Sequence, residues 1–111
     1  MRYHHIGIPT EDIKPNEKYL PEYKLFVSGF DLSEYGVEWM RFEKDSPISD
    51  LIKTVPHIAF EVDDLEEAIS GKDIIGAISS PSTGVRVAMI CENGVPIEFL
   101  EFDIKPDIQA T

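Results

Sequence analysis

The sequence predicts an α+β fold of two tandem β-α-β-β-β-like modules, the first of them shortened. Three observations predict it. The segment His5–Ile13 lines up with His57–Leu65 fifty-two positions on, and Gly36–Glu43 resembles Pro96–Asp103 sixty positions on, so each half opens with a His-bearing strand and closes with a Glu-bearing one. The second half then reads in order as strand, helix and three strands. The first half carries Pro9, Pro15 and Pro21 where its helix would lie, which leaves little room for a regular helix. We expect one domain over residues 1–103, with modules at about 1–45 and 55–103, and a loose C-terminal tail at 104–111.

Taken in order, Tyr3–Ile8, Lys24–Phe30 and Gly36–Glu43 are strand-like by their β-branched and aromatic content. Pro9–Tyr23 is expected to be an irregular loop replacing or shortening the first helix and second strand. Asp45–Val55 is the linker, with one helical turn at Ser49–Ile52. His57–Val62 is a strand. Asp63 is then placed as an acidic N-cap three residues before Glu66, starting a short helix over Asp64–Ser70 that Gly71 ends. Ile74–Ser79, Val85–Cys91 and Val95–Phe102 complete the strands, with turn residues at Pro81–Gly84 and Glu92–Gly94.

Composition narrows the function. The chain has 111 residues, 42% of them apolar, which allows one modest core. Ten Lys and Arg against 21 Asp and Glu give a net charge of −11. A field of that sign repels nucleic acid and anionic lipid, so neither is an expected partner. The longest apolar run is Val87–Cys91, too short to span a membrane. The start of the chain lacks the apolar stretch of a signal peptide. A single cysteine, Cys91, excludes an internal disulfide and fits a cytoplasmic protein.

Alternation places Ile58, Phe60 and Val62 on one face of their strand and His57, Ala59 and Glu61 on the other. The first strand repeats this, with His4, Ile6 and Ile8 opposite Tyr3, His5 and Gly7. One face is therefore apolar, and the other presents a histidine beside a small residue. His4 is expected to point away from His5 and pack with the apolar face. On the closing strands, Glu38 and Glu98 each share a face with apolar neighbours, which desolvates a carboxylate unless it has a partner. A lone histidine on a strand is usually structural and a lone glutamate usually faces water. Two of each at repeat-equivalent positions suit a divalent ion, and composition does not choose among Zn²⁺, Ni²⁺, Co²⁺, Mn²⁺ and Fe²⁺. Cys91 reads as core. Trp39 and Tyr35 read as core before dimer seam or pocket wall. Arg41 and Arg86 read as surface salt bridges before substrate anchors.

His5-Ile6-Gly7-Ile8, the run Val55–Glu66 and Pro96-Ile97-Glu98-Phe99-Leu100 resemble the vicinal oxygen chelate superfamily, which includes glyoxalase I, methylmalonyl-CoA epimerase, extradiol dioxygenases and the fosfomycin and bleomycin resistance proteins. The glyoxalase and epimerase branch is the nearest. The resemblance spans about residues 2–103 and is weakest at Pro9–Tyr23. It implies a mixed sheet curled around a metal cleft, with His5, Glu38, His57 and Glu98 as ligands. A ligand at Glu38 tilts the implied chemistry toward a lyase or isomerase acting on a small carbonyl metabolite, by proton transfer through a metal-bound enediolate. Glu98 is the first implied base and Glu38 the second. The implied alternative is a non-catalytic module that binds or sequesters a small molecule. The shortened first module opens one wall of the cleft, which a homodimer, frequent in the superfamily, would cover.

Overall fold

The computed structural model describes residues 1–103, so the expected tail at 104–111 lies outside the described residues. The β-branched and aromatic runs form eight strands: β1 Arg2–Pro9, β2 Lys18–Leu20, β3 Leu25–Ser28, β4 Val37–Phe42, β5 His57–Glu61, β6 Ile74–Ser79, β7 Val85–Glu92 and β8 Val95–Phe102. They form one sheet in the order β2-β3-β4-β1-β5-β8-β7-β6, curled into a half-barrel. Outward from the centre the halves repeat, as β1-β4-β3-β2 and β5-β8-β7-β6. β1 and β5 meet antiparallel at the centre, and each pairs in parallel with the closing strand of its own half, β4 or β8. The two offsets in the sequence thus relate β1 to β5 and β4 to β8 across a pseudo-twofold.

One helix in the second half covers the convex face. Helix α2, Leu65–Ile69, buries Leu65 and Ile69 against Val62, Ala88, Ile90 and Phe99. Its cap is Asp64 and not the expected Asp63: the Asp64 carboxylate accepts from the Glu67 N–H at 3.2 Å, while Asp63 is drawn to Arg2 at 3.2 Å. The Leu65 N–H is taken by Glu101 of β8 at 2.9 Å, and Arg86 of β7 bonds both Glu101 and Glu66. This network ties the helix start to the sheet. Ala59, Val85, Val87 and Leu100 form a second buried cluster, on the concave side.

The first half has no helix between β1 and β2. Its three-residue strand β2 pairs with β3 instead, and Glu17 from the loop receives two bonds from Arg41, at 2.8 and 2.7 Å. β3 stops at Ser28, short of the expected Phe30, because Gly29 turns left-handed (φ 91°) into a 3-10 turn over Phe30–Leu32. The linker holds α1, Asp50–Thr54, capped by Ser49. No helix among the described residues is long and apolar enough to cross a membrane.

Candidate metal centre

Strand register brings the four predicted side chains together. In one row across the sheet, Gly7 sits between Glu38 of β4 and His57 of β5. In the next, Ala59 sits between His5 of β1 and Glu98 of β8. Each row reads carboxylate, small residue, histidine, and the pseudo-twofold exchanges the two. The small residues make the room: a Cβ on Gly7 would lie 2.1 Å from Cε1 of His57.

The donor atoms converge on the concave side. His5 Nε2 lies 3.3 Å from His57 Nε2, 3.3 Å from Glu98 Oε1 and 3.7 Å from Glu38 Oε1. His57 Nε2 lies 2.8 Å from Glu98 Oε1. Both histidines are buried, and the Glu98 and Glu38 side chains are 14% and 22% exposed. Burial raises the pKa of Glu38 above its ordinary value, the charge of His5 opposing it. Burial would raise Glu98 too, but its bonds to His5 and His57 outweigh that and bring it down to about 2. For His5, burial disfavours the imidazolium, yet Glu98 and Glu38 together hold its pKa above the ordinary value. A cluster of two carboxylates and two imidazoles closes electrostatically around a positive charge, whether a proton or a divalent ion.

The donor set fits such an ion. Ligand atoms held about 2.0–2.1 Å from a centre stand roughly 3.3 Å apart in a tetrahedron and roughly 2.9 Å apart in an octahedron. The separations among His5, His57 and Glu98 run from 2.8 to 3.3 Å. His5, His57 and Glu98 form the tighter group, and Glu38 stands further off. Among the described residues, Asp64, Glu66 and Glu101 also lie close together, but Arg86 neutralises Glu66 and Glu101.

Above the cluster is a chamber of about 290 Å³ walled by apolar side chains, among them Leu25, Val27, Met40, Phe42, Val87 and Met89. Among the described residues no Lys or Arg lines it. Arg41 and Arg86 are held in ion pairs with Glu17 and with Glu66 and Glu101. Cys91 is half-buried on β7.

Two expectations need correction. His4 does not point away from His5: the β1–β5 register shifts between Tyr3 and His5, and a bulge turns consecutive side chains to one side. The His4 ring stacks on Phe30 (centroids 5.1 Å apart, planes at 12°) and its Nδ1 is 2.8 Å from Nδ1 of His5. Alternation alone cannot show a bulge. The available signal was Gly36, whose Cβ would lie 2.7 Å from the His4 carbonyl oxygen. Tyr35 is not core either; it is 72% exposed in the turn before β4, its carbonyl accepting from Tyr3. Trp39 is half-buried under the Lys14 ammonium, 4.2 Å from its ring.

No protein-family model matches the chain, and no curated protein matches its sequence. Solved structures do match its shape. A hypothetical protein of Bacillus halodurans C-125 superposes with a TM-score of 0.71 at 23% identity, over 94% of this chain and 96% of that one. Methylmalonyl-CoA epimerase of Mycobacterium tuberculosis superposes with a TM-score of 0.62 at 20% identity, over 99% and 92%. At such identities the likeness carries shape and not activity. The half-barrel built from two exchanged rows is a shape this chain shares with those two structures.

Proposed function

We propose that this chain is a divalent-metal-dependent lyase or isomerase, glyoxalase- or epimerase-like, that moves the proton α to a carbonyl of a small metabolite. The observation that supports it is the convergence of His5, His57 and Glu98, with Glu38 3.7 Å from His5, at one wall of an apolar chamber. His5, His57 and Glu98 would hold the ion with Glu38 as the outer ligand; once bound, it would supply the positive charge that stabilises the developing oxyanion of the substrate. Glu98 Oε1 lies 3.3 and 2.8 Å from the two imidazoles, inside the three-residue donor group, so it is the tethered carboxylate. Glu38, 3.7 Å from its nearest imidazole and raised by burial, is the freer one, and we assign it the proton transfer ahead of Glu98. The apolar walls exclude water and accept an uncharged body around the carbonyl. The net charge of −11 opposes polyanionic esters at long range.

Metal content of untagged protein purified without chelators tests the site, beside His57→Ala. Near-stoichiometric Zn, Ni, Co, Mn or Fe, lost in that variant, is the expected result; no ion even after soaking overturns it. A panel of 2-oxoaldehyde–thiol adducts and 2-substituted thioesters in D₂O tests the chemistry. Deuterium should enter the α-carbon. Glu38→Gln should keep the metal and lose exchange, while Glu98→Gln should lose the metal. Ligand binding with no exchange across the panel would replace the enzyme by a sequestering module.

A further inference from the structure

We propose that His4 is a positioning residue for His5, holding its imidazole with the Nδ1 proton outward and the Nε2 lone pair turned to the cluster. This rests on the metal-site reading above. A neutral imidazole has one N–H and one lone pair. If Nε2 of His5 is to offer its lone pair to a cation, the proton must sit on Nδ1 and needs an acceptor, because ligating histidines are oriented by that second bond. Here the acceptor within reach is Nδ1 of His4, at 2.8 Å.

Three features of the chain converge to place it. The bulge between Tyr3 and His5 sets two adjacent histidines on the same side of β1. Gly36 lets β1 and the start of β4 approach at that point, where the Ile6 N–H bonds the Gly36 carbonyl at 2.9 Å. Phe30, presented by the 3-10 turn, stacks flat on the His4 ring, and Phe102 of β8 lies 6.0 Å away between centroids. The His4 ring is clamped, so its Nδ1 is a fixed acceptor and not a wandering one. The two halves differ here. Nδ1 of His57 is buried without a hydrogen-bond partner among the described residues, so only the first-half ligand is steered by a neighbour.

The test separates the stack from the bond. His4→Phe keeps a flat ring on Phe30 and removes the acceptor, while His4→Gln returns an acceptor oxygen without the ring. Zn²⁺ and Co²⁺ affinities by calorimetry and the Co²⁺ visible spectrum are read for each, with circular dichroism confirming the fold. His4→Phe should bind roughly ten- to hundredfold more weakly, and His4→Gln should recover most of that loss. Long-range ¹H–¹⁵N spectra of the unsubstituted, Zn²⁺-loaded protein should show the His4 proton on Nε2, leaving its Nδ1 free to accept from His5, a readout that needs no variant. A folded His4→Phe protein that binds as tightly as the parent, or a His4 proton found on Nδ1, overturns the assignment. A parent that binds no ion overturns the metal reading and this assignment together, whereas those two results overturn this assignment alone.

Discussion

Replacing Gly7 by alanine is the sharpest probe of how the sheet makes room for the site. Gly7 is not among the glycines with positive φ, so its backbone suits any residue. On backbone grounds alone, alanine would stabilise the fold by about 0.5–1 kcal/mol by restricting the unfolded chain. The side chain reverses that sign. Its Cβ would stand 2.1 Å from Cε1, 2.6 Å from Nδ1 and 2.7 Å from Nε2 of His57. That is roughly 1.5 Å inside a normal carbon contact. His57 is 2% exposed and has Glu98 at 2.8 Å in front of it, so the ring must swing and break that contact, or the strands must part. Overpacking of this kind costs about 1–3 kcal/mol, leaving a net loss of up to about 2.5 kcal/mol after the backbone gain. For a domain of this size that lowers Tm by roughly 4–8 °C per kcal/mol. Zn²⁺ affinity should fall with it, because one of the imidazoles is displaced. Thermal melting and calorimetry of the Gly7→Ala protein read the two effects separately. A variant whose Tm rises while its metal affinity is unchanged would show that the His57 ring does not lie over Gly7, and the two-row site would be wrong.

Two further outcomes concern the scaffold. Leu65→Ala, at a fully buried position of α2, should cost about 2–5 kcal/mol; a denaturant midpoint close to the parent's would contradict the packing of α2 on the sheet, and Leu32→Ala, at a residue 86% exposed, serves as the comparison and should change stability by under about 0.5 kcal/mol. Glu101 has its pKa lowered first by the Leu65 N–H and then by Arg86, so it stabilises the fold above the ordinary glutamate value of 4.5 and loses that contribution as pH falls through its depressed value. Glu101→Gln should therefore melt a few degrees lower at pH 7 and approach the parent as pH falls below the ordinary glutamate range; two melting curves that stay parallel as the pH is lowered would remove the network from the account.

Much of the site was legible because its logic is periodic. Alternation put His57 beside Ala59 and Glu98 beside Leu100, and the duplicated order made β5 the counterpart of β1 and β8 the counterpart of β4. Neither inference needs tertiary information, since a strand has only two faces. What escaped were the breaks in period. The bulge at His4 adds one residue, and parity reasoning then assigns that side chain to the wrong face. β2 is three residues long, between Pro15 and Pro21, and its strand character comes from pairing with β3 more than from its own composition. The helix cap moved by one residue because Arg2, distant in sequence, claims Asp63. Each miss is a local preference overruled by a partner elsewhere in the chain.

The proposed chemistry depends on where the duplication fails. A strict twofold would give two equivalent carboxylates and two equivalent imidazoles, a symmetric cage well suited to holding an ion and poorly suited to moving a proton in one direction. The chain departs from symmetry at three places around the same point. Gly7 faces Ala59 across the axis, so the His57 ring sinks closer to the sheet than a methyl group would permit. His4 backs His5, while Nδ1 of His57 has no partner among the described residues. Glu98 is bonded to both rings, while Glu38 stands 3.7 Å off. The outcome is one anchored carboxylate and one looser, desolvated carboxylate facing the same apolar chamber, the separation of roles that directional proton transfer requires. Glu38→Gln and Glu98→Gln, isosteric changes at twofold-equivalent positions, should therefore give opposite phenotypes, and two variants that behaved alike would return the site to a symmetric ion cage.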